Sequence, residues 1–186
     1  MREIPVLETE RLILREIRET DIDDVREIFS HREMFLFTNS DVDLSGDPVS
    51  FKDSQVLNWI SSWRNDRDLL CWGIELKQMK KLIGRIYLYG FCGNDTAGYR
   101  VDIGYSLSKK YWGNGYAAEA VRQVVDCGFS SLKIIRFQAE IIPENIASIR
   151  VCEKAGFQQE GLLRRYALYD HNGNCFKDIV MMALTH

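Results

Sequence analysis

Proline and histidine are scarce, with three of each in 186 residues. His31, His171 and His186 are too far apart to form a metal-ligand motif. The five cysteines, Cys71, Cys92, Cys127, Cys152 and Cys175, are widely spaced, odd in number and contain no CxxC pair. That pattern excludes a zinc knuckle and a disulfide framework, and it makes the cytoplasm the expected compartment. Runs of about 18 apolar residues are absent, so no membrane span is expected. The start, Met1-Arg2-Glu3-Ile4-Pro5, lacks the apolar stretch and small-residue cleavage site of a signal peptide. There is no basic excess: 24 Lys and Arg face 27 Asp and Glu, for a formal charge of −3, which argues against a nucleic-acid partner. Repeats, low-complexity tracts and linkers are also missing, so residues 1–186 are expected to form one domain. A chain of this size buries roughly 70% of its unfolded surface.

What is present is periodic. Leu12 and Leu14 alternate with Arg11, Ile13 and Arg15, which predicts a strand from Glu10 to Glu16. Thr20 reads as a helix N-cap, with Asp21, Asp23 and Asp24 in the first turn and Ile22, Val25, Ile28 and Phe29 at helical spacing. Residues 35–50 read as irregular, and Val56, Leu57, Ile60 and Trp63 mark a second helix. Leu70 to Leu76 and Leu82 to Leu88 form a hairpin across the polar Lys77 to Lys81. A strand over about Val101 to Leu107 should pair in parallel with one over Ile134 to Ile142. Gln159 to Leu168 and Phe176 to Leu184 close the chain, joined through His171-Asn172-Gly173-Asn174.

The most informative segment runs from Tyr105 to Phe129. A strand passes through Lys109-Lys110-Tyr111-Trp112 into Gly113-Asn114-Gly115-Tyr116-Ala117 and then into an amphipathic helix. Glycines at a helix start leave backbone N–H groups pointing outward, the helix dipole adds positive charge, and a ligand can approach closely. The helix face with Ala117, Val121, Val124, Val125 and Gly128 is apolar, and Glu119, Arg122, Gln123 and Asp126 lie on another face. A second helix opens on Asn145 after Pro143-Glu144 and stops on Gly156. Two such helix starts point to a small-molecule transferase. Taken alone, Gly113 and Gly115 are also compatible with a tight structural turn.

Read in order, these motifs resemble the GCN5-related N-acetyltransferase (GNAT) superfamily. Within it the chain is similar to the subgroup of ribosomal-protein N-terminal alanine/serine acetyltransferases. The likeness rests on Glu8-Thr9-Glu10-Arg11-Leu12-Ile13-Leu14-Arg15, on Ile103-Gly104-Tyr105, and on Tyr111-Trp112-Gly113-Asn114-Gly115-Tyr116-Ala117-Ala118-Glu119-Ala120. It continues through Pro143-Glu144-Asn145-Ile146-Ala147-Ser148-Ile149-Arg150-Val151, Glu153-Lys154-Ala155-Gly156-Phe157, Glu160-Gly161 and Asn172-Gly173. The implied fold is mixed α/β: a twisted sheet of six to seven strands, splayed between two parallel strands and flanked by about four helices.

The resemblance implies acetyl-CoA as cosubstrate, with no metal. Its diphosphate would sit on the amides around Trp112, Gly113, Asn114, Gly115, Tyr116 and Ala117. The pantetheine arm would pair with main-chain groups of Tyr105 and Leu107, and the Asn145 amide would touch it while its oxygen caps the helix. Ser148 either bonds the coenzyme sulfur or faces the backbone. Cys152 stands where many members carry a proton-donating tyrosine; it is either a donor or a buried small hydrophobe. Asp102 matches a strand carboxylate that serves as base, here through a water, and Glu75 is the other candidate base. Asp41, Asp43, Asp47 and Asp53 would draw in a cationic amine or are a solvated loop. Lys109, Lys110 and Lys154 would meet the 3′-phosphate, and Phe35, Phe37, Trp59 and Trp63 would line the acceptor cleft or pack the core. The expected acceptor is a protein N-terminus. A small amine (polyamine, aminoglycoside or amino acid) and a catalytically inactive CoA sensor are the alternatives. The last hairpin has an edge that can pair, so the chain is expected to be a monomer or a homodimer.

Overall fold

A computed structural model describes residues 4–37, 50–168 and 175–186. The strands are β1 (Leu7–Glu8), β2 (Leu12–Arg15), β3 (Leu70–Leu76), β4 (Lys81–Asn94), β5 (Gly98–Leu107), β6 (Ile134–Ile141), β7 (Gln158–Leu168) and β8 (Phe176–Thr185). The helices are α1 (Ile22–Ile28), α2 (Asp53–Asn65), α3 (Tyr116–Ser131) and α4 (Ile146–Lys154). One eight-stranded sheet runs in the order β1-β2-β3-β4-β5-β6-β8-β7. That is one strand more than the periodicity gives, because the two-residue β1 is too short to alternate. The β5–β6 pair is parallel and the other six are antiparallel.

Alternation decides which residues meet the core. Leu12 and Leu14 are fully buried on one face of β2, as their spacing predicts. Helices α3 and α4 cover one face of the sheet, where Trp72, Ile83, Ile103, Val121, Val124 and Phe137 form the larger core. Helices α1 and α2 cover the other face, over Phe29, Phe35, Phe51, Val56, Ile60 and Cys71. Phe35, Trp59 and Trp63 therefore belong to this second core. Phe37 is partly buried, whereas Asp41, Asp43 and Asp47 lie outside the described residues, as do His171 to Asn174. Asp53 pairs with Arg26 at the start of α2.

Thr20 is not the cap of α1. It sits inside a 3-10 turn, Glu19–Asp21, and Asp21 precedes the helix instead. The Asp21 carboxylate accepts from the Arg18 N–H at 2.7 Å and from both terminal nitrogens of Arg15. A carboxylate beside a guanidinium outcompetes a hydroxyl for those donors.

The parallel contact sets the shape that matters. β5 and β6 pair from Tyr99↔Ile134 to Asp102↔Gln138, and the ladder stops there. On its other edge β5 stays paired with β4 up to Gly84↔Leu107. The two central strands therefore diverge beyond Asp102. Phe137 at the root of this divergence is fully buried, with its ring 5.2 Å from that of Phe129. Phe137→Ala should lower stability by about 3–5 kcal/mol, a cost typical of an emptied aromatic site. Denaturant unfolding should show an earlier midpoint with an unchanged slope.

Candidate active site

The open edge of β5 can be read from its hydrogen bonds. The N–H of Ser108 donates to Ile83 O at 2.8 Å, so Ser108 and, by alternation, Ser106, Gly104 and Asp102 bond to β4. Tyr105 and Leu107 then direct their N–H and C=O toward the side of β6, which has left the ladder after the Asp102↔Gln138 rung. These are main-chain groups that an extended ligand can pair with as an added strand. The Leu107 carbonyl already accepts from the Trp112 indole at 2.7 Å. That bond fixes Trp112, whose ring is half exposed, against the end of the strand.

Beyond Trp112 the chain turns on Gly113 (φ 78°) and Gly115 (φ 80°), both left-handed. Side chains strain this backbone, so glycine is the residue that permits the turn. A Cβ placed on Gly113 would meet nothing within 4 Å, so the front of the turn is open. Asn114 closes the turn from behind, donating to Tyr111 O and Trp112 O at 3.2 and 3.0 Å. Gly115 caps the 16-residue α3 with no side chain, and the first helical bond is Glu119 N–H to Gly115 O. The amides of Tyr116, Ala117 and Ala118 precede that bond and have no partner within the helix. Free donors, a dipole end and open space together fit a diphosphate.

Arg11 braces this turn, a role the sequence did not disclose. Its guanidinium holds the Glu119 carboxylate at 2.6–2.7 Å, donates to Asn114 O at 3.1 Å and lies 4.5 Å over the Tyr116 ring. Arg11 N–H and the Thr9 hydroxyl also bond Glu119, whose carboxyl is held below its usual range although burial opposes this. The positive charge thus stands beside the open glycines.

Across the splay, Asn145 caps α4 by accepting from Ser148 N–H at 3.2 Å, leaving its amide donors unused by the cap. Tyr105 reaches from β5 to this helix: its hydroxyl donates to Ser148 O at 3.0 Å and lies 3.6 Å from Cys152 Sγ. Burial raises the Cys152 thiol to about 11 and the Tyr105 phenol well above its ordinary value. Both therefore stay protonated in the neutral range. Asn145, Ser148 and Cys152 lie along α4 at the spacing read from the sequence, and Tyr105 joins Ser148 and Cys152 from β5.

On the opposite face of the sheet, Asp102 sits at the last rung of the β5–β6 ladder. Gln138 Nε2 donates to its Oδ1 at 2.8 Å, and Arg136 links Gln138 to Glu160. Between Tyr89 and Cys92 the β4–β5 register shifts, and Gly90 in this bulge leaves space for Asp102: a Cβ there would stand 2.5 Å from Oδ2. Burial raises the Asp102 pKa, against the pull of Gln138, Arg100 and Arg136. Glu140, two residues past Gln138 on the same face, is also raised, by burial and then by the Asp102 charge, with Tyr166 as a hydrogen-bond partner. The Asp102 charge thus disfavours that of Glu140, and carboxylates with raised pKa values have the chemistry to accept a proton. Glu140 was missed, although Gln138-Ala139-Glu140-Ile141 alternates polar and apolar and so placed it beside Gln138.

Glu75 is not part of this group. It bonds Arg15 Nε at 2.6 Å within the Arg15–Asp21 ion pair. Its partner on β4 is Leu82, whereas that of Asp102 is Tyr89, which separates them by roughly 20–25 Å along and across the sheet. Lys109 and Lys110 are likewise engaged, with Glu33 and Glu27.

The GNAT acetyltransferase domain model matches residues 11–158. The chain belongs to the GNAT acetyltransferase family. It is 35% identical over 162 residues to an uncharacterized N-acetyltransferase, YoaA, of Bacillus subtilis (strain 168), covering 87% of this chain and 88% of that protein. Its fold is that of Mycobacterium smegmatis RimJ, solved in complex with CoA-disulfide (TM-score 0.79, 23% identity, 94% of this chain and 81% of that one). It is also that of a ribosomal-protein-S5-alanine acetyltransferase from Vibrio fischeri (TM-score 0.74, 19% identity, 97% and 96%). As a GNAT acetyltransferase the chain uses acetyl-CoA as donor and acts on an amine. No cluster of metal-binding side chains occurs among the described residues, and no helix among them is long and apolar enough to cross a membrane.

Arg11→Met should raise the dissociation constant for CoA roughly tenfold, since it removes charge-assisted bonds that hold the glycine turn. Calorimetric titration measures this directly, and an unchanged affinity would show that the brace is dispensable.

Proposed function

We propose that this GNAT enzyme acetylates the N-terminal amine of a protein or peptide chain that begins with alanine or serine, by direct attack on acetyl-CoA. The observation that supports the mechanism is the end of the β5–β6 ladder at Asp102↔Gln138: Asp102 and Glu140 stand near that end on one face of the sheet, and the open main-chain groups of Tyr105 and Leu107 continue along β5 beyond it. The acceptor class is supported by the order of motifs and by the fold shared with the S5-alanine enzyme. Five unpaired cysteines suit a reducing cytoplasm.

The amine arrives as an ammonium ion and is drawn to the two carboxylates. It loses a proton to Glu140, and Asp102 lifts the basicity of that carboxylate. The neutral nitrogen then attacks the thioester carbon. The oxygen, gaining negative charge, is met by an N–H on the open edge of β5. The C–S bond breaks as the nitrogen gives up its second proton to become an amide; the departing thiolate takes up one proton, and the one first held by Glu140 is released to water. The Tyr105 hydroxyl donates its one proton to Ser148 O in the free protein, and on turning from that carbonyl it donates to the leaving thiolate instead. Cys152 stays protonated beside the tyrosine and transfers no proton in the reaction.

Both carboxylates have raised pKa values, so their ionised forms appear later than usual as pH rises. The acidic limb of kcat/KM should therefore lie above about 4, the ordinary carboxylate range. Glu140→Gln should lower kcat/KM by about 10²–10⁴, the usual worth of a positioned base. Asp102→Asn should move the limb to lower pH, because the charge that pushes Glu140 up is gone. A pH profile of thiol release with peptides starting in alanine or serine reads both; a profile identical to wild type in each variant contradicts the assignment. Tyr105→Phe should lower kcat with little change in KM for acetyl-CoA, and Cys152→Ala should leave the pH profile in place.

A further inference from the structure

Arg85 is the one arginine among the described residues that is enclosed by aromatic rings and has no acid within ion-pair distance. Its guanidinium carbon lies 4.2 Å from the Trp63 ring centre, 4.7 Å from Tyr87 and 5.4 Å from Phe29. Its Nε is buried and makes no hydrogen bond. Arg11, Arg15, Arg26, Arg64 and Arg136 all hold carboxylates. The Cys71 sulfur faces the guanidinium as a weak hydrogen-bond partner but supplies no counter-charge, because burial pushes its thiol up to about 11. Stacking occupies the faces of a guanidinium and leaves the in-plane N–H groups for an acceptor, ideally the two oxygens of a carboxylate.

The position of this cation gives it meaning. Arg85 pairs with Ser106, Tyr87 with Gly104 and Tyr89 with Asp102, so all six share the α1–α2 face of the sheet. The Tyr87 ring lies across Gly104; a Cβ there would be 2.4 Å from Cζ. The Tyr87 and Tyr89 rings are 5.7 Å apart and make a continuous apolar track from Arg85 to the rung of Asp102. The track runs beside β5, where the reaction takes place under the function proposed above. The Cα atoms of Arg85 and Asp102 are about 14 Å apart, from four residues along the strand and one strand across. Once a hydrogen bond at each end is allowed for, two to three extended residues fill that span, at about 3.3 Å each.

We propose that Arg85 is a specificity-determining residue: it binds a carboxylate that the acceptor carries two to three residues from its reactive amine. The carboxylate is either the end of a short peptide or an acidic side chain near the start of a longer one. This rests on the proposed amine acetylation for its location and goes further in naming the acceptor's second charged group.

The test compares pairs of acceptors that differ in that one group. Ala-Ala-Ala with a free carboxylate is set against its C-terminal amide, and Ser-Glu-Ala-amide against Ser-Gln-Ala-amide. The acid of at least one pair should show a KM about tenfold lower in wild type, as a charge-assisted pair provides. The pair that responds tells chain end from side chain. In Arg85→Gln the ratio should fall below about 2, and in Arg85→Lys, which lacks the planar fork, it should be intermediate. Equal KM values within both pairs in wild type overturn the proposal, even if the variants fail to fold. Binding is read separately from turnover through tryptophan fluorescence, since Trp63 touches the guanidinium. N-acetyl-Ala-Ala-Ala should quench it and the corresponding amide should not, with the effect lost in Arg85→Gln. If no peptide is acetylated but the acid quenches selectively, the acceptor reading fails and the Arg85 site stands. If both peptides quench alike, or neither does, the Arg85 site fails whatever the turnover.

Discussion

The parallel ladder between β5 and β6 ends at Asp102↔Gln138, and the proposed chemistry is arranged around that end. A strand held on one edge by β4 and released on the other must present unpaired N–H and C=O groups to whatever enters the gap. Tyr105 and Leu107 supply those groups. The gap opens on one side toward α3 and α4, whose first turns offer donors, and on the other toward the carboxylates of Asp102 and Glu140. Under the proposed function, donor recognition and amine chemistry fall on opposite faces of the same break in the sheet.

Charge is distributed to match. The glycine turn at the start of α3 carries the helix dipole and the braced guanidinium of Arg11, a positive environment for phosphate oxygens. The far face carries two carboxylates whose pKa values burial raises. These raised values have a cost: ionised Asp102 and Glu140 destabilise the native chain relative to carboxylates in water, and that cost sets in as pH rises through their folded-state values. A strained or unfavourable charge at a site of chemistry is a common compromise. By contrast, Glu75, Asp21 and Arg15 form an ion-paired group at the margin of the sheet that holds β2 to β3 and the turn before α1.

Much of this could be read along the chain because it is local. Two glycines between an apolar strand and an amphipathic helix announce the α3 turn, and Asn145 with Gly156 brackets α4 through capping chemistry that spans three or four residues. Strand alternation placed seven of the eight strands. Local signals fail where partners are far apart in sequence. Arg11 and Glu119 lie 108 residues apart, and Arg15 and Glu75 lie 60 apart. Neither pair leaves a trace in spacing, so a brace was overlooked and the ion pair of Glu75, the second candidate base, was not foreseen. Glu140 is intermediate: its face was readable, but its importance depends on Asp102, brought beside it by the parallel pairing of two separate segments.

The central claim is that unpaired amides at the start of α3 hold the diphosphate of the donor, so that the thioester lies along β5. It is tested most directly by amide chemical shifts during a CoA titration. The N–H signals of Gly113, Gly115, Tyr116 and Ala117 should move downfield together and saturate with one binding constant, along with those of Tyr105 and Leu107. Saturable binding that leaves those six signals in place, and perturbs a different surface, would contradict the account.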